Sequence, residues 1–94
     1  MYDLLVKNGR IVTAQAVTEG NIGIKDGRIA ALLEAGQEPE AAKVIDAKGK
    51  YVFPGAIDTH AHLNDPGYEW REDYEHGTAA AAMGGYTTII DMPL

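Results

Sequence analysis

Two imidazoles stand two residues apart in the string Pro54-Gly55-Ala56-Ile57-Asp58-Thr59-His60-Ala61-His62. Along an extended strand successive side chains alternate between faces. Ala56, Asp58, His60 and His62 therefore share one face, and Ile57, Thr59, Ala61 and Leu63 the other. Neutral imidazole is the commonest protein ligand for zinc-like cations, and two of them at i and i+2 point the same way, close enough to share one ion. A neighbouring carboxylate can fix the tautomer of such a ligand, so Asp58 is a candidate for orienting the pair; a buried structural acid is the equal alternative. Taken alone, the His-x-His spacing also fits two solvated or hydrogen-bonded histidines. Position favours the metal. The motif closes an otherwise apolar run, directly before Asn64-Asp65-Pro66-Gly67, and α/β folds place their sites at the carboxyl ends of strands.

The elements that would hold this pair read from both sides of Pro54-Gly55. After it, residues 72–83 combine early acids with an alanine run, Thr78 to Met83, and close on Gly84-Gly85. The acids suit the positive end of a helix dipole, the alanines favour helix and allow close approach to a sheet, and Gly84 is a natural left-handed cap. Tyr86–Asp91 then reads as a β-branched strand, completing a βαβ unit of roughly 30 residues. His76 falls inside the helix and reads as a surface residue. Glu69, Glu72, Asp73 and Glu75 could be mistaken for a carboxylate site, but in a loop and a first helical turn capping accounts for them.

Before Pro54 the pattern is of β-hairpins. Asn8-Gly9 and Asp26-Gly27 each lie between β-prone runs and suit type I′ turns, in the near-copies KNGRI and KDGRI. Residues 35–42 read as a loop, followed by a strand pair, Lys43–Asp46 and Tyr51–Phe53, joined around Lys48-Gly49-Lys50. Residues 1–53 are thus expected to form a small antiparallel sheet with one apolar face and a scaffolding role, and residues 54–94 the α/β part that carries chemistry.

Composition narrows the class. The chain has 94 residues and no cysteine, which removes disulfides, thiolate nucleophiles and zinc fingers. No apolar run approaches the ~18 residues of a membrane span, and the N-terminus lacks a signal-peptide layout, so a cytoplasmic location is the default. The net charge of −6 argues against nucleic acid as a partner. It is also uneven: residues 1–53 balance seven acidic against seven basic side chains, while residues 54–94 hold seven acidic, one basic (Arg71) and all three histidines.

The string PGAIDTHAH resembles the first barrel strand of the amidohydrolase superfamily, in its cyclic amidase branch of allantoinases, dihydroorotases and hydantoinases (dihydropyrimidinases). The resemblance runs over the whole chain, since the two near-copies before Pro54 are similar to that branch's N-terminal β-subdomain. It implies a (β/α)₈ barrel and two divalent metal ions, zinc as a rule, bridged by a carboxylated lysine, with His60 and His62 matching the ligands of the more buried ion. Dihydroorotases usually read His-Leu-Arg-Glu-Pro-Gly after the second histidine, the arginine gripping a substrate carboxylate. This chain has Asn64 at that place, which resembles allantoinases, whose substrate carries no carboxylate; the segments Glu69 to Thr78 and Asp91-Met92-Pro93-Leu94 resemble theirs as well. Tyr68 and Asp65 depart from the commoner Arg and Glu.

The resemblance therefore implies hydrolysis of a small cyclic amide or ureide, with allantoin opened to allantoate by a metal-activated hydroxide in purine metabolism. Asn64 would face the substrate, and the complete enzyme would be a homo-oligomer. Dihydroorotase or hydantoinase is the alternative within the branch, and a non-catalytic scaffold or interaction domain the alternative outside it. A barrel takes about 250 residues, so 94 residues supply its first strand, first helix and second strand. The bridging lysine, two further histidines and the catalytic aspartate are expected beyond Leu94, and the 94 residues alone are expected to be inactive, with an exposed parallel strand and alanine-rich helix face that favour assembly.

Overall fold

A computed structural model describes residues 1–92 and divides into two compact units, Met1–Pro54 and Gly55–Leu94. Pro93 and Leu94, the close of the Asp-Met-Pro-Leu string, lie outside the described residues.

The first unit is a mixed sheet. Strand β2 (Val17–Lys25) runs antiparallel to both β1 (Tyr2–Val12) and β3 (Arg28–Glu34), and the order across the sheet is β3-β2-β1-β4 with β4 (Ala41–Asp46). β5 (Tyr51–Val52) pairs with β1 beyond β4, and both β4 and β5 run parallel to β1. Two sequence expectations are corrected here. Asn8-Gly9 is not a hairpin turn, because only Asn8 takes a left-handed conformation (φ 58°), whereas a type I′ turn needs it at both central residues. One such residue makes a bulge, and the register of β1 against β2 shifts between Val6 and Gly9 while the strand continues. At Asp26-Gly27 both residues are left-handed, at φ 52° and 73°, and the chain does reverse into β3. Lys43–Asp46 and Tyr51–Phe53 are not a hairpin pair either. The turn at Lys48-Gly49 protrudes opposite the bulge, so the chain resumes its course along β1; Ala47 donates to Lys7 O, Gly49 to Asn8 O, and Arg10 to the Lys50 carbonyl. The sheet is therefore mixed rather than purely antiparallel.

Leu5, Ile11 and Ile22 are buried in this unit, and among them lies one polar side chain, Asn21, only 1% exposed. Its Oδ1 accepts the Asn8 amide at 2.9 Å and its Nδ2 donates to Gln37 O at 2.6 Å, so the bulge and the 35–40 loop are tied to one buried amide.

The second unit contains β6 (Ala56–Ala61), α1 (Tyr74–Met83) and β7 (Tyr86–Asp91), with β6 and β7 parallel. The helix starts two residues later than residue 72 because Asp73 is its N-cap: extended at φ −98°, ψ 173°, its side chain accepts the His76 amide at 2.8 Å. At the other end Gly84 is right-handed (φ −87°) and Gly85, at φ 90°, is the left-handed residue that turns the chain into β7. Parallel sheets are ordinarily covered on both faces, yet Ile57 and Ile90 of this two-stranded one are exposed.

Replacing Asn21 by Ala removes the acceptor of the part-buried Asn8 amide bond and the donor to Gln37 O. In the protein expressed from its complete reading frame this is expected to cost about 1–3 kcal/mol, read from urea unfolding. A cost near zero would show that the buried amide does not hold the bulge.

Candidate metal centre

Parallel pairing sets the carboxyl ends of β6 and β7 side by side, and the two histidines lie at that end. His60 is in β6 and His62 is the first residue beyond it, just past Ala61. The ladder is interrupted between Asp58 and Ala61, so the simple alternation read from the sequence is broken there. Asp58 compensates: its Oδ1 accepts the His60 amide at 3.0 Å, a local carboxylate-to-backbone bond that holds the irregular stretch. The rings of His60 and His62 meet edge to face with centroids 5.1 Å apart.

His62 is further constrained. Its Nδ1 lies 2.7 Å from the Met92 carbonyl, which can only accept, so Nδ1 donates and the neutral ring keeps its lone pair on Nε2. A ring nitrogen held by a backbone carbonyl while the other ligates is the usual arrangement of metal-binding histidine. The donor chemistry of the pair thus fits a borderline-soft divalent ion such as zinc. Among the described residues no group of three or more His, Cys, Asp and Glu side chains gathers to hold an ion.

The loop after His62 is anchored from several directions. Leu63 is buried, and its amide donates to Asp91 Oδ1 at 3.1 Å. Leu63 packs against the first turn of α1 where Gly77 has no side chain; a Cβ there would come within 3.0 Å of Leu63 Cδ2. Asn64 is left-handed at φ 65°, a conformation Asn tolerates better than most residues, and its carbonyl accepts the Tyr68 amide at 2.9 Å. Asp65 Oδ2 accepts the amide of Tyr74, whose hydroxyl donates to Asp91 Oδ2 at 2.9 Å. That bond, with burial, raises the Tyr74 phenol above its ordinary pKa. The carboxyl of Glu69 is lowered by the Gly67 amide. Arg71 stacks over Trp70 and Tyr68, at 4.9 and 5.5 Å from their centroids.

His76 stands apart from the pair's hydrogen bonds, exposed on α1 with its Nδ1 2.7 Å from Asp73 Oδ1. The signals that sequence reading missed are Asp91, Tyr74 and the Met92 carbonyl. Asp91 at the end of a strand parallel to the histidine strand offered a positional hint; a backbone carbonyl offers none.

A model of the amidohydrolase family matches residues 43–91, more than half of the sequence. The chain belongs to the amidohydrolase family. This amidohydrolase chain is 47% identical over 97 residues to an allantoinase of Bacillus licheniformis, covering 99% of the chain and 21% of that protein. It superposes on the L-hydantoinase (dihydropyrimidinase) of Arthrobacter aurescens with a TM-score of 0.90 at 43% identity, over 98% of the chain and 21% of that structure. An N-acyl-D-glutamate deacylase of Bordetella bronchiseptica, complexed with zinc and a phosphonate inhibitor, gives 0.69 at 32% identity, over 96% of the chain and 18% of that structure. The chain thus spans about a fifth of the length of the relatives it matches. No helix among the described residues is long and apolar enough to cross a membrane.

The Asp73 carboxyl is held below the ordinary aspartate range, first by the His76 amide and then by the His76 side chain. A lowered folded-state pKa stabilises the fold above the unfolded value, and the contribution disappears as pH falls through the folded one. As pH falls below the ordinary aspartate range the parent should therefore lose more stability than Asp73→Asn, which keeps a neutral cap. Acid unfolding followed by helix ellipticity checks this; equal acid slopes would show the carboxylate is not engaged.

Proposed function

We propose that the chain is the N-terminal part of a metal-dependent cyclic amidase, with allantoin opened to allantoate as its reaction. Residues 1–53 form the N-terminal β-subdomain and residues 54–94 begin a (β/α)₈ barrel. The observation that carries the reading is the His60–His62 pair at the carboxyl end of a parallel strand pair, with His62 Nε2 left free by the Met92 carbonyl. The family match and the allantoinase and hydantoinase relatives support it.

His60 and His62 would hold one of two divalent ions, zinc by the donor chemistry and by the zinc complex of the deacylase relative. When bound, such ions would supply a water of lowered pKa and Lewis-acid polarisation of a ring carbonyl. The chain's own residues do the positioning. Met92 O keeps His62 in one tautomer, and Asp58 holds the His60 amide. Asn64, two residues beyond His62, would offer an uncharged amide to a ureide ring. A carboxylated lysine, further histidines and a proton-shuttling aspartate belong to the rest of the barrel. The substrate is a small cyclic amide or ureide, the enzyme is cytoplasmic, and it works as a homo-oligomer.

A second reading, hydantoinase, is favoured by the TM-score of 0.90 to the L-hydantoinase. Both are tested on the protein expressed from its complete reading frame, offered allantoin, hydantoin and dihydroorotate. Allantoin turnover is expected to exceed the others, chelation to abolish it and zinc to restore it. His60→Ala and His62→Ala should each lower bound metal and activity to background, while His76→Ala leaves the metal content unchanged. Faster turnover of hydantoin or dihydroorotate would overturn the choice of substrate, and full metal content in both histidine variants would overturn the centre.

A further inference from the structure

His62 is bracketed by hydrogen bonds to the end of β7. The residue before it, Ala61, accepts the Met92 amide at 2.7 Å; its own ring donates to the Met92 carbonyl; and the residue after it, Leu63, donates its amide to Asp91 Oδ1. The ring and both flanking peptides are therefore held by two consecutive residues, Asp91 and Met92. The Met92 contacts are made by backbone atoms and follow wherever the backbone goes. Asp91 is the one side chain in the set, and it uses both oxygens, Oδ1 on Leu63 and Oδ2 on the Tyr74 hydroxyl. Tyr74 is the first residue of α1, and its amide donates to Asp65 of the same loop at 3.0 Å. The Asp91 carboxylate thus ties three things together: the end of β7, the peptide after His62, and the start of the helix.

We propose that Asp91, supported by Tyr74, is a positioning residue that keeps His62 Nε2 aimed for ligation. The inference rests on the metal-centre reading above. Without the carboxylate, the Leu63 amide beside buried Leu63 loses its acceptor, the loop after His62 loosens, and the imidazole keeps only its bond to Met92. A carboxamide retains a carbonyl oxygen for that amide, and its NH₂ can donate to the Tyr74 oxygen, so Asn is the conservative substitute.

The experiment loads the complete protein and its variants with zinc and follows transfer of zinc to a chromophoric chelator, with the thermal midpoint of each variant measured alongside. Asp91→Ala is expected to speed zinc release about 10- to 100-fold, Tyr74→Phe by a few-fold, and Asp91→Asn to remain near the parent. Release from folded Asp91→Ala at the parent's rate, with only the thermal midpoint lowered, would overturn the proposal, as would an Asp91→Asn protein that releases zinc as fast as Asp91→Ala. Should Asp91→Ala fail to fold, Tyr74→Phe decides: faster release supports the proposal and the parent's rate overturns it. His62→Ala separates the two levels of inference. If it retains the parent's zinc stoichiometry and release rate, the metal-centre reading itself fails; if its zinc is lost while Asp91→Ala behaves as the parent, only the role of Asp91 fails.

Discussion

Parallel pairing of β6 with β7 is the constraint on which the candidate centre depends, because it places two carboxyl ends on the same side of one sheet. A histidine used as a ligand must present one ring nitrogen without its proton, and in water the two tautomers interconvert freely. The neighbouring strand end removes that freedom here. Met92 contributes a carbonyl at hydrogen-bond distance from His62 Nδ1, and a carbonyl accepts only a proton-bearing nitrogen. An antiparallel neighbour would bring the amino end of a strand to this place and leave the ring's orientation to solvent. Helix α1, which connects the two strands, completes the arrangement through Tyr74 and the bare Cα of Gly77.

The first unit obeys a different constraint, the satisfaction of buried backbone groups. A bulge in β1 turns the part-buried Asn8 amide away from the β2 ladder, and an N–H shielded from water without a partner is costly. Asn21 supplies an acceptor from inside the sheet and donates from Nδ2 to Gln37 O on the loop. The facing turn at Lys48-Gly49 matches the bulge on the other edge of β1. One irregularity in the central strand thus requires a buried polar residue on one neighbour and a protruding turn on the other.

Legibility in the sequence followed the range of the interaction. Tyr86–Asp91 was readable as a strand from its β-branched run, and Asp26-Gly27 as a turn from local chemistry, because both depend on a few adjacent residues. Asn8-Gly9 carries the same local signal and has a different outcome, since the choice between turn and bulge is made by pairing with β4 and β5, some 40 positions away. The same holds at the histidines. Their types and spacing mark them as donors, whereas the bonds that hold the His62 ring and the peptide after it come from a backbone carbonyl and a carboxylate about 30 residues later. Asp58 illustrates the intermediate case: it was readable as a partner of the pair, but its observed bond is to the His60 amide rather than to a ring, because the interrupted ladder leaves that amide needing an acceptor.

Two lacks in the second unit point in one direction. Two imidazoles fall short of the three protein ligands that a catalytic zinc ordinarily takes, and a two-stranded parallel sheet with Ile57 and Ile90 exposed falls short of the cover such sheets ordinarily have. These are separate requirements, one of coordination chemistry and one of hydrophobic burial. Further parallel strands beside β6 and β7 meet both at once: each brings another carboxyl end to the same rim, where it can carry a ligand, while the helices that connect them cover the apolar faces. In the proposed barrel the metal centre and the hydrophobic core are therefore completed by the same elements. The Ala79–Ala82 run of α1 fits this, since small side chains let a helix lie close against a sheet that is shared with its neighbours.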